Sequence, residues 1–228
     1  MQSQPTIAIL GGTGDLGSGL AGLLAAAGYT VVIGSRAKEK AEQTSAELTS
    51  RLGKIGKKGV VRGDDNRNAA ASADIVVLCV PYSNHDHILE EIKPVMQGKI
   101  LVDAVVPLVP PKVHVVQLPA SGSPALVAQR MLGPGVQVAA AFHNVSAKKL
   151  HGGEKADCDV LTFADDVTAR EKVISLANVV ATRGVDGGVL ANAVAAEALT
   201  SVLITINRRY KTPGAGIRIT GLPVSEVR

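Results

Sequence analysis

Apolar and polar positions along the chain fall into short, almost wholly apolar runs separated by longer amphipathic stretches. Ile7–Leu10, Thr30–Ile33, Val60-Val61, Asp74–Val80, Lys99–Asp103, Val136–Phe142, Asp159–Ala164 and Thr182–Asp186 read as strands, several of them β-branched and too short for helices. Between them, residues 15–27 set Leu16, Leu20, Leu23 and Leu24 on one face, and residues 37–52, 69–73, 86–96, 123–132, 167–180 and 189–207 read as helices. Gly28 ends the first helix, and the proline-rich stretch 107–119 is a loop, because proline neither donates to a ladder nor continues a helix. Strands alternating with helices predict an α/β chain with a doubly wound, mostly parallel sheet and a small helical C-terminal part. The last helix, 189–207, is too apolar for a solvated surface and is either core or a dimer interface; a homodimer using it is the preferred expectation.

Composition adjusts this picture in three ways. With 228 residues, 46% of them apolar and 2% aromatic, the core is aliphatic and large enough for one large domain, or one domain and an appendage. A formal charge of +4 suits anionic small molecules but falls short of a nucleic-acid signature. The basic stretch Arg51, Lys54, Lys57, Lys58, Arg62 and Arg67 reads first as a solvated loop and second as an attractive rim for an acidic cofactor tail. Cys79 and Cys158 read as buried free thiols of a reducing compartment. The N-terminal MQSQPT lacks a secretory pattern and no apolar run reaches the roughly 18 residues that span a bilayer, so the expectation is a cytoplasmic protein without a membrane partner.

The chemistry starts in the first turn. Ile7–Leu10 runs into GGTGDLG and then a helix, the setting a dinucleotide fingerprint requires. Gly12 is expected to allow the tight turn, Gly14 to admit a pyrophosphate, and Gly17 to let the helix lie close to its strand. The helix N-terminus then faces the phosphates with unpaired N–H groups and the positive end of its dipole. At the tip of the second strand, where an NAD-binding fold places a carboxylate, the chain has Ser35 and Arg36, with Lys40 one turn on. A hydroxyl and two cations there are expected to select the 2′-phosphate of NADP, which carries roughly −1.5 to −2 charges, over the neutral hydroxyl of NAD; the alternative is that Arg36 and Lys40 only solvate the start of the second helix.

These stretches carry a resemblance. GGTGDLGSGLA followed by VVIGSRAKEKAE, then ADIVVLCVPY, VVPLVPP, AAAFHNVSAKKL, DCDVLTFADD and VDGGVLANAVAAEALT, together resemble the coenzyme F420-dependent NADP reductases over most of the chain. The resemblance implies a Rossmann-type NADP-binding domain over residues 1–183. It also implies a small part, 184–228, that completes a deazaflavin pocket and contributes to a dimer contact. Hydride then passes directly between the deazaflavin C5 and the nicotinamide C4. By matching position, Thr13, Gly14, Asp15 and Leu16 would contact the pyrophosphate, and Ser35, Arg36 and Lys40 the 2′-phosphate. Val80, Pro81, Val106, and His143, Asn144 and Ala147 of the stretch 143–147 would frame the nicotinamide and the deazaflavin. The family shows an aromatic and, two residues on, a His; here Tyr82 precedes Ser83, Asn84 and His85, so the His stands one place later.

Carrier-to-carrier hydride transfer asks little acid–base chemistry of a protein, which agrees with a chain lacking Ser-His-Asp or metal-ligand spacing. His143 is a deazaflavin contact or a structural residue capping its strand, and His85 and His87 read as surface residues of a helix start rather than metal ligands. Three other readings share the cofactor: an NADPH-dependent reductase of an imine or keto acid, a reductase of a flavin or metal, and a non-catalytic NADPH sensor.

Overall fold

The computed structural model describes residues 4–120 and 122–222; the N-terminal reading at residues 1–3 and the last six residues of the part 184–228 lie outside them. The predicted strands and helices all form, with ends shifted by a few residues. They run β1 Ile7–Leu10, α1 Asp15–Ala26, β2 Thr30–Ser35, α2 Lys38–Lys54, β3 Val60–Asp65, α3 Asn66–Ala71, β4 Ile75–Leu78 and α4 His85–Ile92. They continue β5 Ile100–Asp103, α5 Pro124–Leu132, β6 Gln137–Ala140, α6 Ala147–His151, β7 Ala156–Ala164, α7 Val167–Val180, β8 Ala181–Asp186 and α8 Ala193–Tyr210. The short helix α6 was not foreseen, since five residues are too few for a period to register.

Eight strands form one sheet in the order β3-β2-β1-β4-β5-β6-β7-β8. The first six are parallel, in the order of a dinucleotide-binding Rossmann sheet. Then β7 runs antiparallel to β6, pairing Ala140 with Phe163, and β8 runs parallel to β7. Reversal at β7 brings its first residues to the carboxyl edge of the other strands. Side-chain alternation splits the core in two. Ile7, Ile9, Val31 and Ile33 pack with Leu20, Leu24, Leu48 and Val173 on one face. Ala8, Leu10, Val76 and Leu78 pack with Ile88, Leu89, Ala125 and Ala196 on the other. Both faces being covered explains why these strands read as continuous apolar runs.

Helix α8 lies on that second face through Ala193 and Ala196; Ser201 and Leu203 are also buried, while Val202 stays 44% exposed. Residues 190–210 hold a stretch that by length and mean hydropathy, 1.4, could cross a membrane, correcting the expectation that no such stretch exists; 33% of that stretch is buried inside the molecule.

Candidate active site

The crossover between β1 and β4 opens a cleft of about 280 Å³ at the carboxyl edge, lined by Gly11, Thr13, Gly14, Ser35, Arg36, Lys40, Val80 and Pro81 among others. Such a switch point is where open α/β sheets bind ligands. The tight turn belongs to Gly11 rather than Gly12: Gly11 has φ +74°, which L side chains rarely adopt. Gly12 serves close packing, since a Cβ there would stand 2.7 Å from the Ile9 carbonyl oxygen and 2.9 Å from Ile33. Gly17 brings α1 down onto the turn, where a Cβ would meet Gly11 O at 2.6 Å and Gly12 Cα at 2.7 Å. Gly14, the N-cap of α1, faces open space: a Cβ there would meet nothing nearer than Gly11 O at 3.5 Å. The backbone there is open to the cleft.

At the tip of β2, Ser35 is half-buried and Arg36 and Lys40 are exposed on the cleft. Neither cation has a carboxylate partner among the described residues, whereas Lys38 next to them pairs with Asp64 at 3.1 Å. Two such cations at the mouth of the cleft fit a phosphate monoester. Asn66, unnoticed in the sequence, also lines the cleft; it is 2% exposed and its Oδ1 has no partner among the described residues. Gly12, Asp15, Leu16 and Gly17 do not line the cleft, and neither does Val106, half-buried beyond β5.

His143, Asn144 and Ala147 line a second hollow of about 190 Å³ with Thr200, Leu203, Ile204 and Asn207 of α8 and with Gly214. Before it comes Phe142, 1% exposed and held at φ 69°, a strained setting for a bulky residue. The His143 ring is buried, and neither nitrogen has a partner among the described residues. Burial pushes its pKa down to about 4, so the ring is neutral at pH 7. Thr200 donates to the His143 carbonyl at 2.9 Å, which ties α8 to the site loop.

Between the two hollows lies a buried polar group that corrects the reading of His85. The residue is fully buried, its Nε2 2.8 Å from Asp103 Oδ2 and its Nδ1 2.7 Å from Asp86 Oδ1. Burial pulls its pKa down, but Asp103 and Asp86 more than offset that and hold it above the usual value. His87 is exposed. The period of α4 carried the signal, because His85 shares a face with Ile88, Leu89 and Ile92. Glu197 was also missed: it is 1% exposed, accepts from Ser123 Oγ at 2.7 Å, and is the lone acid of α8. Cys79 is half-buried against the first cleft and Cys158 is buried; both are free thiols. Among the described residues, no group of three or more His, Cys, Asp or Glu is arranged to hold a metal.

A family model described as NADP oxidoreductase, coenzyme F420-dependent, matches residues 6–107. The chain is similar to the F420-dependent NADP reductase of Methanocaldococcus jannaschii, 39% identical over 96% of this chain and 99% of that one. It is similar to the F420-dependent NADP reductase of Methanothermobacter marburgensis, 40% identical over 95% and 99%. Its fold matches a structure from Arthrobacter sp. FB24 assigned as an F420-dependent NADP reductase, with a TM-score of 0.74 and 27% identity over 96% of this chain and 100% of that one. An imine reductase from Myxococcus stipitatus shares the fold alone, with a TM-score of 0.62 and 22% identity over 92% of this chain and 62% of that one. Near 40% identity sustained over almost the whole length settles the family: the chain belongs to the F420-dependent NADP reductases.

Proposed function

We propose that the protein transfers a hydride directly and reversibly between C5 of reduced coenzyme F420 and C4 of the NADP nicotinamide, both bound as substrates. Reduced F420 and NADP⁺ give F420, NADPH and one proton. The observation that carries the cofactor choice is the pair Arg36 and Lys40 beside Ser35, without a carboxylate partner among the described residues and at a strand tip lacking an acid. Charge-assisted bonds of roughly 1.5–3 kcal/mol each favour a phosphate there. The turn Thr13 to Gly17 receives the pyrophosphate, and Val80, Pro81 and Val106 frame the nicotinamide. His143, Asn144 and Ala147 receive the deazaflavin, with residues 184–228 completing its pocket around a unit of residues 1–183. A neutral His143 offers one donor and one acceptor to the deazaflavin edge.

A homodimer in the cytoplasm completes this reading. Val202 of α8 is exposed, and so are Val109, Val115, Val116 and Leu118 of the segment docked on that helix through the Thr205 hydroxyl and the His114 carbonyl, 3.0 Å. A second copy would cover this aliphatic surface. Sedimentation velocity showing only monomer at micromolar concentration would overturn the dimer.

The function is tested by mixing the protein and NADPH with F420, FMN or FAD in turn and following loss of acceptor absorbance. Turnover with F420 and little with either flavin is expected. Absence of turnover with F420 refutes the assignment.

A further inference from the structure

The second hollow is bordered at Gly214 by a segment near the end of the chain, residues 213–219. Ser146 Oγ donates to the Pro213 carbonyl at 3.3 Å, and the Ala215 N–H donates to Asn207 Oδ1 at 2.7 Å. Gly214 lines the hollow and lies so close to the loop that a Cβ on it would stand 2.6 Å from Ser146 Cβ. Gly216 is pressed as closely on Cys158, at 2.5 Å by the same measure. Gly214 is therefore part of the wall of the hollow, and the segment around it is seated against the loop that carries His143.

One residue holds both loop and wall. Asp159, in β7, is 1% exposed. Its N–H donates to the Ile217 carbonyl at 2.8 Å, and its own carbonyl accepts from Asn144 Nδ2 at 2.7 Å. Its carboxylate accepts from the Ile219 N–H at 2.7 Å and from Arg183 Nε and Nη2 at 3.1 and 2.6 Å. Arg183 Nη2 in turn donates to the Ile219 carbonyl at 3.0 Å. A residue that only paired two strands would need none of the bonds to Asn144, Ile217 and Ile219. Burial alone would raise the carboxyl pKa, yet Arg183 and the Ile219 N–H hold it below the usual carboxylate range, so the clamp is ionised at neutral pH.

We propose that Asp159 is the positioning residue of the deazaflavin hollow, fixing loop 143–147 and wall 213–219 relative to each other without touching either substrate. This rests on the reading that the second hollow takes the deazaflavin. The first cleft shares no lining residue with the hollow and none with the clamp. Loosening the clamp therefore spoils one substrate's site and spares the other. The distance between the two reacting carbons is sensitive to such a shift, since a misplacement of roughly 1 Å can cost a hundredfold in rate.

The test compares wild type with Asp159→Asn, which keeps the shape but removes the charge that Arg183 and the Ile219 N–H bind. Steady-state KM is measured for F420 and for NADP, and NADPH Kd by fluorescence titration. The expected result is an F420 KM raised about tenfold or more, with NADP KM and NADPH Kd within about twofold of wild type. An unchanged F420 KM, or equal rises for both substrates, overturns the proposal. Should Asp159→Asn fail to fold, Arg183→Lys carries the same test, because it keeps the charge and loses the two-pronged geometry; a smaller rise confined to F420 is expected, and none refutes the clamp. Failure of wild type to reduce F420 would refute the underlying reading instead.

Discussion

Replacing Glu197 with glutamine isolates a buried acid whose charge the fold resists. The carboxyl group lies under α8 against Ser123, takes a longer bond from the Ala125 N–H at 3.4 Å, and leaves Oε2 buried without a partner among the described residues. Burial pushes its pKa up to about 7; negative Asp103 on β5 adds to this, while Ser123, Ala125 and His85 on α4 pull the other way. The unfolded chain ionises near the ordinary value of 4.5. Below that pH both states are protonated and the group contributes no difference. As pH rises through 7 the folded state must ionise it in an unfavourable place, so stability falls between pH 4.5 and 7 and stays lower above. A shift from 4.5 to about 7 corresponds to about 3 kcal/mol. In a chain of this size that is a difference of roughly 6–12 °C in Tm. Glutamine cannot ionise, so Glu197→Gln removes this dependence. Thermal melts of both proteins at pH 5 and pH 8 read it. The variant's Tm relative to wild type rises between the two pH values by most of that amount, since pH 5 lies just above the unfolded value, and taking the difference removes His143, which is present in both proteins. Parallel pH profiles would show that Glu197 is ionised in the fold at little cost.

Two further outcomes concern the first cleft. Arg36→Ala weakens NADP binding by tenfold or more while leaving NAD binding within about twofold, as read by calorimetric titration, because only the 2′-phosphate meets the guanidinium; equal losses would refute the phosphate reading. Gly17→Ala places a methyl group against the backbone of Gly11 and Gly12, costs about 1–3 kcal/mol in urea denaturation, and also lowers NADP affinity by moving α1 off the turn; a neutral effect on both would show that the turn yields freely.

The first cleft was legible because its determinants are local: a strand, a glycine turn and a strand tip follow each other within the stretch 7–40. Where the sequence pointed to the wrong glycine, the reason was conformational, since only the backbone shows that Gly11 and not Gly12 is left-handed. His85 was misplaced because a polar residue beside exposed Asp86 and His87 looks solvated, although its spacing to Ile88, Leu89 and Ile92 set it inward. Glu197 signalled itself weakly as a single acid in an apolar helix. Neither partnership could be read, because Asp103 and Ser123 lie 18 and 74 residues away. The reversal of β7 has no local mark at all, and with it the clamp at Asp159 stayed hidden: strand direction is settled by which faces can be covered, not by the strand's own residues.

The left-handed backbone at Phe142 has a consequence for how damage travels. An L residue in that well costs roughly 1–2 kcal/mol, and it stays there because burial of its ring against the sheet returns more. Ring and backbone thus work as a latch with one stable setting. If the ring loses its seat, the backbone relaxes to an extended form and His143 swings away with it. A lesion in the aliphatic layer beneath β6 would therefore be felt twice, as a lower melting temperature and as a displaced loop at the second hollow.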